Sequence, residues 1–156
     1  MLELLKSFIA DFSDGVKQPH HFDDNDYRLA AAALLVHIMS IDGSASDAEQ
    51  AKLRSLLQNR FALDEEKTDE LIAAATQADQ EAVDLYHFTR LLNRSLDDDG
   101  RKRMVEMMWE IVYADGARTE FEDNIVWRVA DLLGISGRER IELRQRVAAS
   151  QVRNGR

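Results

Sequence analysis

Several features that define whole classes of protein are missing from this chain. It has no cysteine, which excludes disulfide scaffolds, thiolate metal sites and cysteine nucleophiles and fits a reducing compartment. Its single proline and seven glycines are few for 156 residues, and with 45% hydrophobic residues they indicate a folded helical protein rather than disorder. No apolar run reaches the length of a membrane span. The length suits one domain with one core.

Positive charge is also in short supply. The net charge is −9, so the surface as a whole repels nucleic acid and anionic membranes and favours cations and basic partners. The exception is the stretch 138–156, whose six arginines and two glutamates leave −13 on residues 1–137. We interpret it as a solvated helix face in which Glu142 supports Arg138 and Arg146, each four residues away. An acidic partner or a phosphate backbone is the alternative, disfavoured because the stretch has no interleaved aromatic residues for stacking.

The most informative pattern is a segment that occurs twice. Residues 38–49 align with residues 111–122 at a constant offset of 73 without a gap, and each copy contains an Asp-Gly pair followed by a glutamate. Apolar residues at helical spacing precede each Asp-Gly pair, and more of them follow it. The matched apolar positions are Ala31, Leu34, Leu35, Ile38, Met39, Leu53, Leu56 and Leu57 in the first copy and Met104, Met107, Met108, Ile111, Val112, Val126, Val129 and Ala130 in the second. Each copy is therefore predicted to form a helix, a tight acidic turn and a second helix.

Local chemistry explains much of each turn. The glycine of each Asp-Gly pair can adopt the left-handed conformation that ends a helix without a Cβ clash. Ser46 and Thr119 follow the glycines at the third position and are predicted N-caps of the next helix. Glu49 and Glu122, three residues further on, complete capping boxes with them.

The two aspartates have no such local explanation. Asp42 and Asp115 lie at the negative end of a helix dipole, which disfavours a carboxylate by roughly 0.3–1 kcal/mol. This electrostatic cost would be offset by the N-terminus of the next helix, by an arginine from elsewhere in the fold, or by a cation shared with the glutamate seven residues further on. The string Asp-Gly-x5-Glu is also the second half of an EF-hand loop. Ile38 and Ser40 occupy the earlier ligand positions in the first copy, so an ordinary EF-hand is excluded.

These turns resemble those of the TerB-like family, named for tellurite resistance protein B. The resemblance rests on Ile-Val-Tyr-Ala-Asp-Gly at 111–116 with its later glutamate, on the partial duplicate Ile-Asp-Gly at 41–43, and on the stretch Leu-Tyr-His-Phe-Thr-Arg-Leu-Leu at 85–92 between them. It covers residues 25–148 and implies an all-helical cytoplasmic domain of two related halves. It also implies a role in stress-response or membrane-associated assemblies and a divalent-cation site. By position, the candidate metal ligands are Asp42, Glu49, Asp115 and Glu122.

The remaining segments complete the domain organisation. Residues 1–24 are predicted to form an amphipathic helix and a linker, and the helix packs on the core or on a partner in preference to a membrane surface. Further helices are predicted from Asp64 to Ala78, from Gln80 to Leu96 and from Ser136 to Ser150, the last with a capping box. The helical domain spans residues 25–150, and residues 151–156 form a basic tail.

We therefore predict a single all-α domain of seven to eight helices with two pseudo-repeated helix-turn-helix units. If the two acidic turns converge, their four carboxylates would need a cation, and ligands that are all oxygen favour Ca²⁺, Mg²⁺ or Mn²⁺. The predicted function is a non-enzymatic domain that binds such a cation in a stress-response assembly related to tellurite resistance, with a protein partner. The alternative is a metal-free protein interaction module whose acidic turns are only helix caps. An enzyme is least favoured, because there is no phosphate-binding glycine loop and no histidine–carboxylate pair at usable spacing in the sequence.

Overall fold

Helices account for all the regular structure that the computed structural model describes. It describes residues 22–41, 45–114 and 120–154, with side chains through Ser150. This part of the chain forms seven helices and no strand, which confirms the all-α prediction. The helices are α1 (Tyr27–Met39), α2 (Asp47–Phe61), α3 (Glu65–Glu81), α4 (Tyr86–Ser95), α5 (Asp98–Val112), α6 (Glu120–Leu132) and α7 (Gly137–Asn154).

Five of the described helices begin at a residue whose side chain accepts a hydrogen bond from a backbone N–H two or three positions later. These N-caps are Asp26, Ser46, Asp64, Asp97 and Ser136, at the starts of α1, α2, α3, α5 and α7. Each satisfies one of the N–H groups that the first turn of a helix leaves without a partner. The helix start predicted at Asp64 is confirmed.

The predicted capping box of the last helix is also present. The Ser136 backbone N–H donates to Glu139 Oε1 at 3.2 Å, and the Glu139 N–H donates to Ser136 Oγ at 3.1 Å. Lys102 lies 3.1 Å from the same glutamate and lowers its pKa, with further contributions from the Ser136 hydrogen bonds. One part of the interpretation of this helix is wrong: Arg146 contacts Glu106 of α5 at 2.6 Å instead of Glu142.

The internal repeat defines the bounds of four helices. Helix α1 ends at Met39 and α5 ends at Val112, while α2 begins at Asp47 and α6 begins at Glu120, so both boundaries recur at the offset of 73. All the matched apolar positions are buried. The prediction of two helix-turn-helix units therefore describes the fold correctly.

Helix α1 lies at the centre of the core. It packs against α2, α3, α4, α5 and α6, and α5 in turn packs against α1, α2, α6 and α7. The sequence of α1 is rich in alanine, so neighbouring helices can approach α1 closely from several sides. Ala32 and Ala33 of α1, which are not among the matched apolar positions, are buried as completely as those positions, so α1 is buried on more than one face.

The boundary between α3 and α4 differs from the prediction. Helix α3 continues to Glu81 and α4 begins at Tyr86, although the sequence pattern predicted a new helix near Gln80. Ala82 has an extended backbone, and Asp84 accepts a hydrogen bond from the Tyr86 N–H at 2.9 Å. No glycine or proline marks this break in the sequence.

The predicted helix and linker at 1–21 and the tail residues 155 and 156 lie outside the described residues, as do the turn residues 42–44 and 115–119. Among the helices that the structure describes, none is both long enough and apolar enough to span a lipid bilayer.

Candidate functional site

The first candidate ligand, Glu49, lies in the first turn of α2 and is almost completely buried, with 3% exposure. Its Oε1 accepts a hydrogen bond from the Ser46 N–H at 3.0 Å, and its own N–H donates to Ser46 Oγ at 3.1 Å. The predicted capping box is thus present. A capping glutamate usually faces solvent at a helix start, and ionised carboxylates are rarely buried unless a positive or hydrogen-bonding partner accompanies them.

The second candidate ligand, Glu122, occupies the equivalent place in α6. It lies in the first turn of that helix and is 2% exposed. Glu49 and Glu122 are the only glutamates or aspartates buried to this degree among the described residues. Two positions related by the internal repeat therefore share an uncommon property that the sequence pattern does not reveal.

An ion pair shows that the two repeats meet near these helix ends. Lys52, one turn after Glu49 in α2, has its Nζ 4.0 Å from Oε1 of Glu110 in α5. Glu110 lies in the last turn of α5, just before the second acidic turn. The beginning of α2, which follows the first acidic turn, is therefore adjacent to the end of α5, which leads into the second.

Carboxylates and cations form a network along the same part of α5. Arg103 Nη1 donates to Glu110 Oε2 at 2.7 Å and to Glu106 Oε1 at 3.2 Å, and Glu106 Oε2 accepts from Arg146 of α7 at 2.6 Å. Burial alone would lower the pKa of the Arg103 guanidinium, but the hydrogen bond to Glu110 and the smaller effect of Glu106 raise it above its ordinary value. The carboxylates of Glu106 and Glu110 thus have protein cations as partners.

The two aspartates of the proposed ligand set, Asp42 and Asp115, fall in the turns outside the described residues, together with the predicted N-cap Thr119. Within residues 22–41, 45–114 and 120–154, no group of three or more histidine, aspartate or glutamate side chains is arranged to hold a metal ion. The structure therefore places two of the four predicted ligands, Glu49 and Glu122, in matching buried positions beside the turns that carry the other two.

The chemistry of these donors suits a hard divalent cation. Every candidate ligand atom is a carboxylate oxygen, and oxygen ligands are preferred by Ca²⁺, Mg²⁺ and Mn²⁺. A carboxylate has about four acceptor positions, so it can accept a hydrogen bond and bind a cation at the same time. The residues present therefore fit the group that the family resemblance implies.

Comparison with known proteins supports the same family. A family model described as tellurite resistance protein TerB matches residues 28–145. The chain belongs to the TerB family. No curated protein and no solved structure matches it. The matched range contains both helix-turn-helix units of this TerB domain and all four candidate ligands.

One polar pair in the TerB domain was not revealed by spacing in the sequence. His37 of α1 and Asp79 of α3, 42 residues apart, are joined by a 2.8 Å contact between Nδ1 and Oδ1. Spacing along the sequence indicates no histidine–carboxylate pair, but the packing of α1 on α3 creates one. The hydroxyl of Ser40, one turn away, donates to the Val36 carbonyl at 2.9 Å, so this pair is not arranged to activate it. His37 is half-buried.

A second feature missed by the sequence pattern lies along the arginine-rich helix α7. Two tryptophans from other helices supply the aromatic residues that the C-terminal stretch itself lacks. Arg140 lies over the ring of Trp127 at 5.0 Å from its centroid, and Arg144 lies 5.8 Å from the ring centroid of Trp109. Residues 138–156 contain no aromatic residue of their own, but helix packing places two tryptophan rings beside their arginines.

Proposed function

We propose that this TerB domain is a non-enzymatic, cytoplasmic module that binds a divalent cation between its two acidic turns. Asp42 and Glu49 would contribute from the first turn, and Asp115 and Glu122 from the second. The observation that carries the proposal is the near-complete burial of both glutamates at positions related by the repeat. If the two turns converge, their four carboxylates repel one another, and a cation bound between them would offset that repulsion.

The packing of the repeats supports the convergence that such a site needs. The contact between Lys52 and Glu110 brings the beginning of α2 next to the end of α5. A cation bound by both turns would hold the two helix-turn-helix units together, and its binding energy would add to the stability of the folded domain. We further propose that the domain serves in a stress-response assembly related to tellurite resistance, with a protein as its partner.

Thermal unfolding of the full chain tests the cation site. We expect the melting temperature to be higher in millimolar Ca²⁺, Mg²⁺ or Mn²⁺ than in chelator, because the ion binds only the folded state. The double variant Asp42→Asn/Asp115→Asn should remain folded but lose most of this difference, since the amides keep the size of the carboxylates and lack their charge.

Asp47→Asn provides the matched control. Asp47 is exposed in the first turn of α2, close to the proposed site but not part of it. The control should keep the full response to the ion. Identical melting curves for the unsubstituted chain with all three ions and with chelator would refute the cation site and leave the metal-free interaction module.

A further inference from the structure

A groove lies between α5, α6 and α7, and none of the four candidate metal ligands is among its lining residues. Its volume is about 460 Å³, which is within the range of ligand-binding clefts. We call it the Trp–Arg groove and define it by six of its lining residues: Trp109, Asp123, Trp127, Arg140, Ile141 and Arg144. Trp109 and Trp127 are the two tryptophans of the chain.

The walls of the Trp–Arg groove expose large apolar side chains. Trp127 is 52% exposed and Ile141 is 45% exposed. Among the described residues, three of the five exposed large hydrophobic side chains belong to α6 and α7, the third being Phe121. Exposed apolar surface concentrated beside a concave site is typical of protein interaction surfaces.

Arg140 and Arg144 of the groove differ from the other charged residues described on α7 in their partners. Arg138 is 4.0 Å from Glu142, Glu139 pairs with Lys102, and Arg146 pairs with Glu106. In the part of the chain that the structure describes, neither Arg140 nor Arg144 forms an ion pair or a hydrogen bond; each contacts a tryptophan ring instead.

An arginine placed over an aromatic ring keeps its N–H donors available at the edge of the guanidinium plane. Those donors match the two oxygens of a carboxylate in a bidentate pair. Arg140 and Arg144, four residues apart on the same face of α7, therefore present two carboxylate-binding forks along one wall of the groove. Asp123 reduces the local positive charge, so the groove is selective for a few well-placed negative groups rather than for a dense array of them.

One lining residue of the groove, Trp109, has a hydrogen-bond donor in its side chain. The indole Nε1 of Trp109 is buried and has no acceptor among the described residues. A buried donor without an acceptor costs about 1–3 kcal/mol. An oxygen atom of an occupant that enters beside Trp109 would offset that cost.

We propose that the Trp–Arg groove is the docking site for an acidic peptide segment of a partner protein. Carboxylates of the segment bind Arg140 and Arg144, and an apolar side chain between them packs against Trp127 and Ile141. This assigns a partner chemistry to α7, which the cation site leaves without a role. The two proposals rest on different residues and are tested separately.

Charge distribution favours a peptide over nucleic acid. Residues 1–137 carry −13, and a nucleic-acid backbone that followed α7 would meet this acidic surface on either side of the groove. A short peptide contacts only the groove, and charges more than about 8 Å away are largely screened at physiological salt. The local pair of arginines therefore decides the interaction with a peptide.

Intrinsic tryptophan fluorescence reports directly on the groove, because both tryptophans of the chain line it. The probe is a short synthetic peptide that alternates glutamate with leucine and contains no aromatic residue. Its control is the same peptide with every glutamate replaced by glutamine. We expect the acidic peptide to change the fluorescence in a saturable way and to bind at least tenfold more tightly than the control, because the control loses two charge-assisted hydrogen bonds. Binding of the acidic peptide should weaken as salt is added.

Variants locate the site. Arg140→Gln/Arg144→Gln should weaken binding of the acidic peptide by roughly tenfold or more, because it removes both forks. Arg138→Gln, on the same helix but outside the groove, should bind like the unsubstituted chain. Ile141→Glu places a negative charge in the groove at an exposed position and should also abolish binding, while the circular dichroism spectrum stays helical.

Several results would overturn the proposal. One is equal binding of the acidic and glutamine peptides, and another is no binding of either at millimolar concentration. Unchanged affinity in the double arginine variant would exclude the groove as the site. Tighter binding of a single-stranded oligonucleotide than of the acidic peptide would assign the groove to nucleic acid. A dimer in analytical ultracentrifugation that the double variant converts to a monomer would assign it to a second copy of this chain.

Discussion

Replacing Glu49 by glutamine separates its role as a helix cap from its proposed role as a metal ligand. Glu49 accepts the Ser46 N–H through Oε1, and glutamine also serves in a capping box because its amide oxygen accepts the same hydrogen bond. The substitution therefore keeps the cap and the side-chain volume and removes the charge. Ser46→Ala does the reverse, since it removes the acceptor of the Glu49 N–H and leaves the carboxylate in place.

The two variants should differ in how much stability they lose and in how they respond to metal. In chelator, Ser46→Ala should cost about 1 kcal/mol of unfolding free energy, the usual value for a lost N-cap. Glu49→Gln should cost less than about 1 kcal/mol, which is the loss of a favourable charge at a helix N-terminus. An ion at one hundred times its Kd adds about 2.7 kcal/mol to the stability of a protein that binds it. For a chain of this length that corresponds to a rise in melting temperature of about 5–11 °C.

Differential scanning calorimetry in chelator and in Ca²⁺, Mg²⁺ or Mn²⁺ measures both quantities. We expect the unsubstituted chain and Ser46→Ala to show the same rise in melting temperature with the ion, offset by about 2–4 °C. Glu49→Gln should show little rise. If Glu49→Gln retains the full rise while Ser46→Ala loses it, the carboxylate acts only as a cap and the reasoning from its burial is wrong.

Two further predictions concern the scaffold. Burial alone would raise the pKa of Asp26, but hydrogen bonds from Arg28 hold that pKa below its ordinary value. The Asp26 carboxylate therefore stabilises the fold when the pH is above its unfolded pKa of about 3.9. It ceases to do so as the pH falls through its lower folded pKa. In urea unfolding at neutral pH, Asp26→Asn should lower the unfolding free energy by about 1 kcal/mol. The unfolding free energies of the variant and the unsubstituted chain should become equal in acid, and a difference that does not change with pH would contradict the charge effect. Ala62 follows the last residue of α2 with a φ of 54°, a left-handed backbone conformation that is strained for any residue with a Cβ atom. Ala62→Gly should therefore raise the unfolding free energy by about 0.5–1 kcal/mol. A loss of stability in the same assay would show that this strain is not relieved by glycine.

Features that depend on residues close together in the chain could be predicted from the sequence. The capping boxes at Ser46 and Ser136 each involve a glutamate three residues away, so the pattern contains the whole interaction. The repeat offset of 73 predicted the end of α5 and the start of α6 from α1 and α2. The break between α3 and α4 was misplaced because only the Asp84 side chain and an extended residue produce it.

The candidate cation site was only partly accessible in this way. The sequence identified Glu49 and Glu122 as capping residues, and a capping glutamate at a helix start is normally exposed. Their burial depends on the helices that pack over the beginnings of α2 and α6. The Lys52–Glu110 contact, which brings the repeats together, likewise joins residues 58 positions apart, as their numbers in the sequence show.

By itself, the sequence determined that this protein is all-α, that a helix-turn-helix unit occurs twice and where most helices begin. These properties follow from hydrophobic periodicity and hydrogen bonds between near neighbours, which are fixed by local order along the chain. Only the tertiary structure decided which charged groups became partners: His37 with Asp79, Arg146 with Glu106, and Arg144 with Trp109. Those contacts cross from one helix to another, so they depend on how the helices pack, and the apolar pattern does not specify which polar side chains meet at their edges.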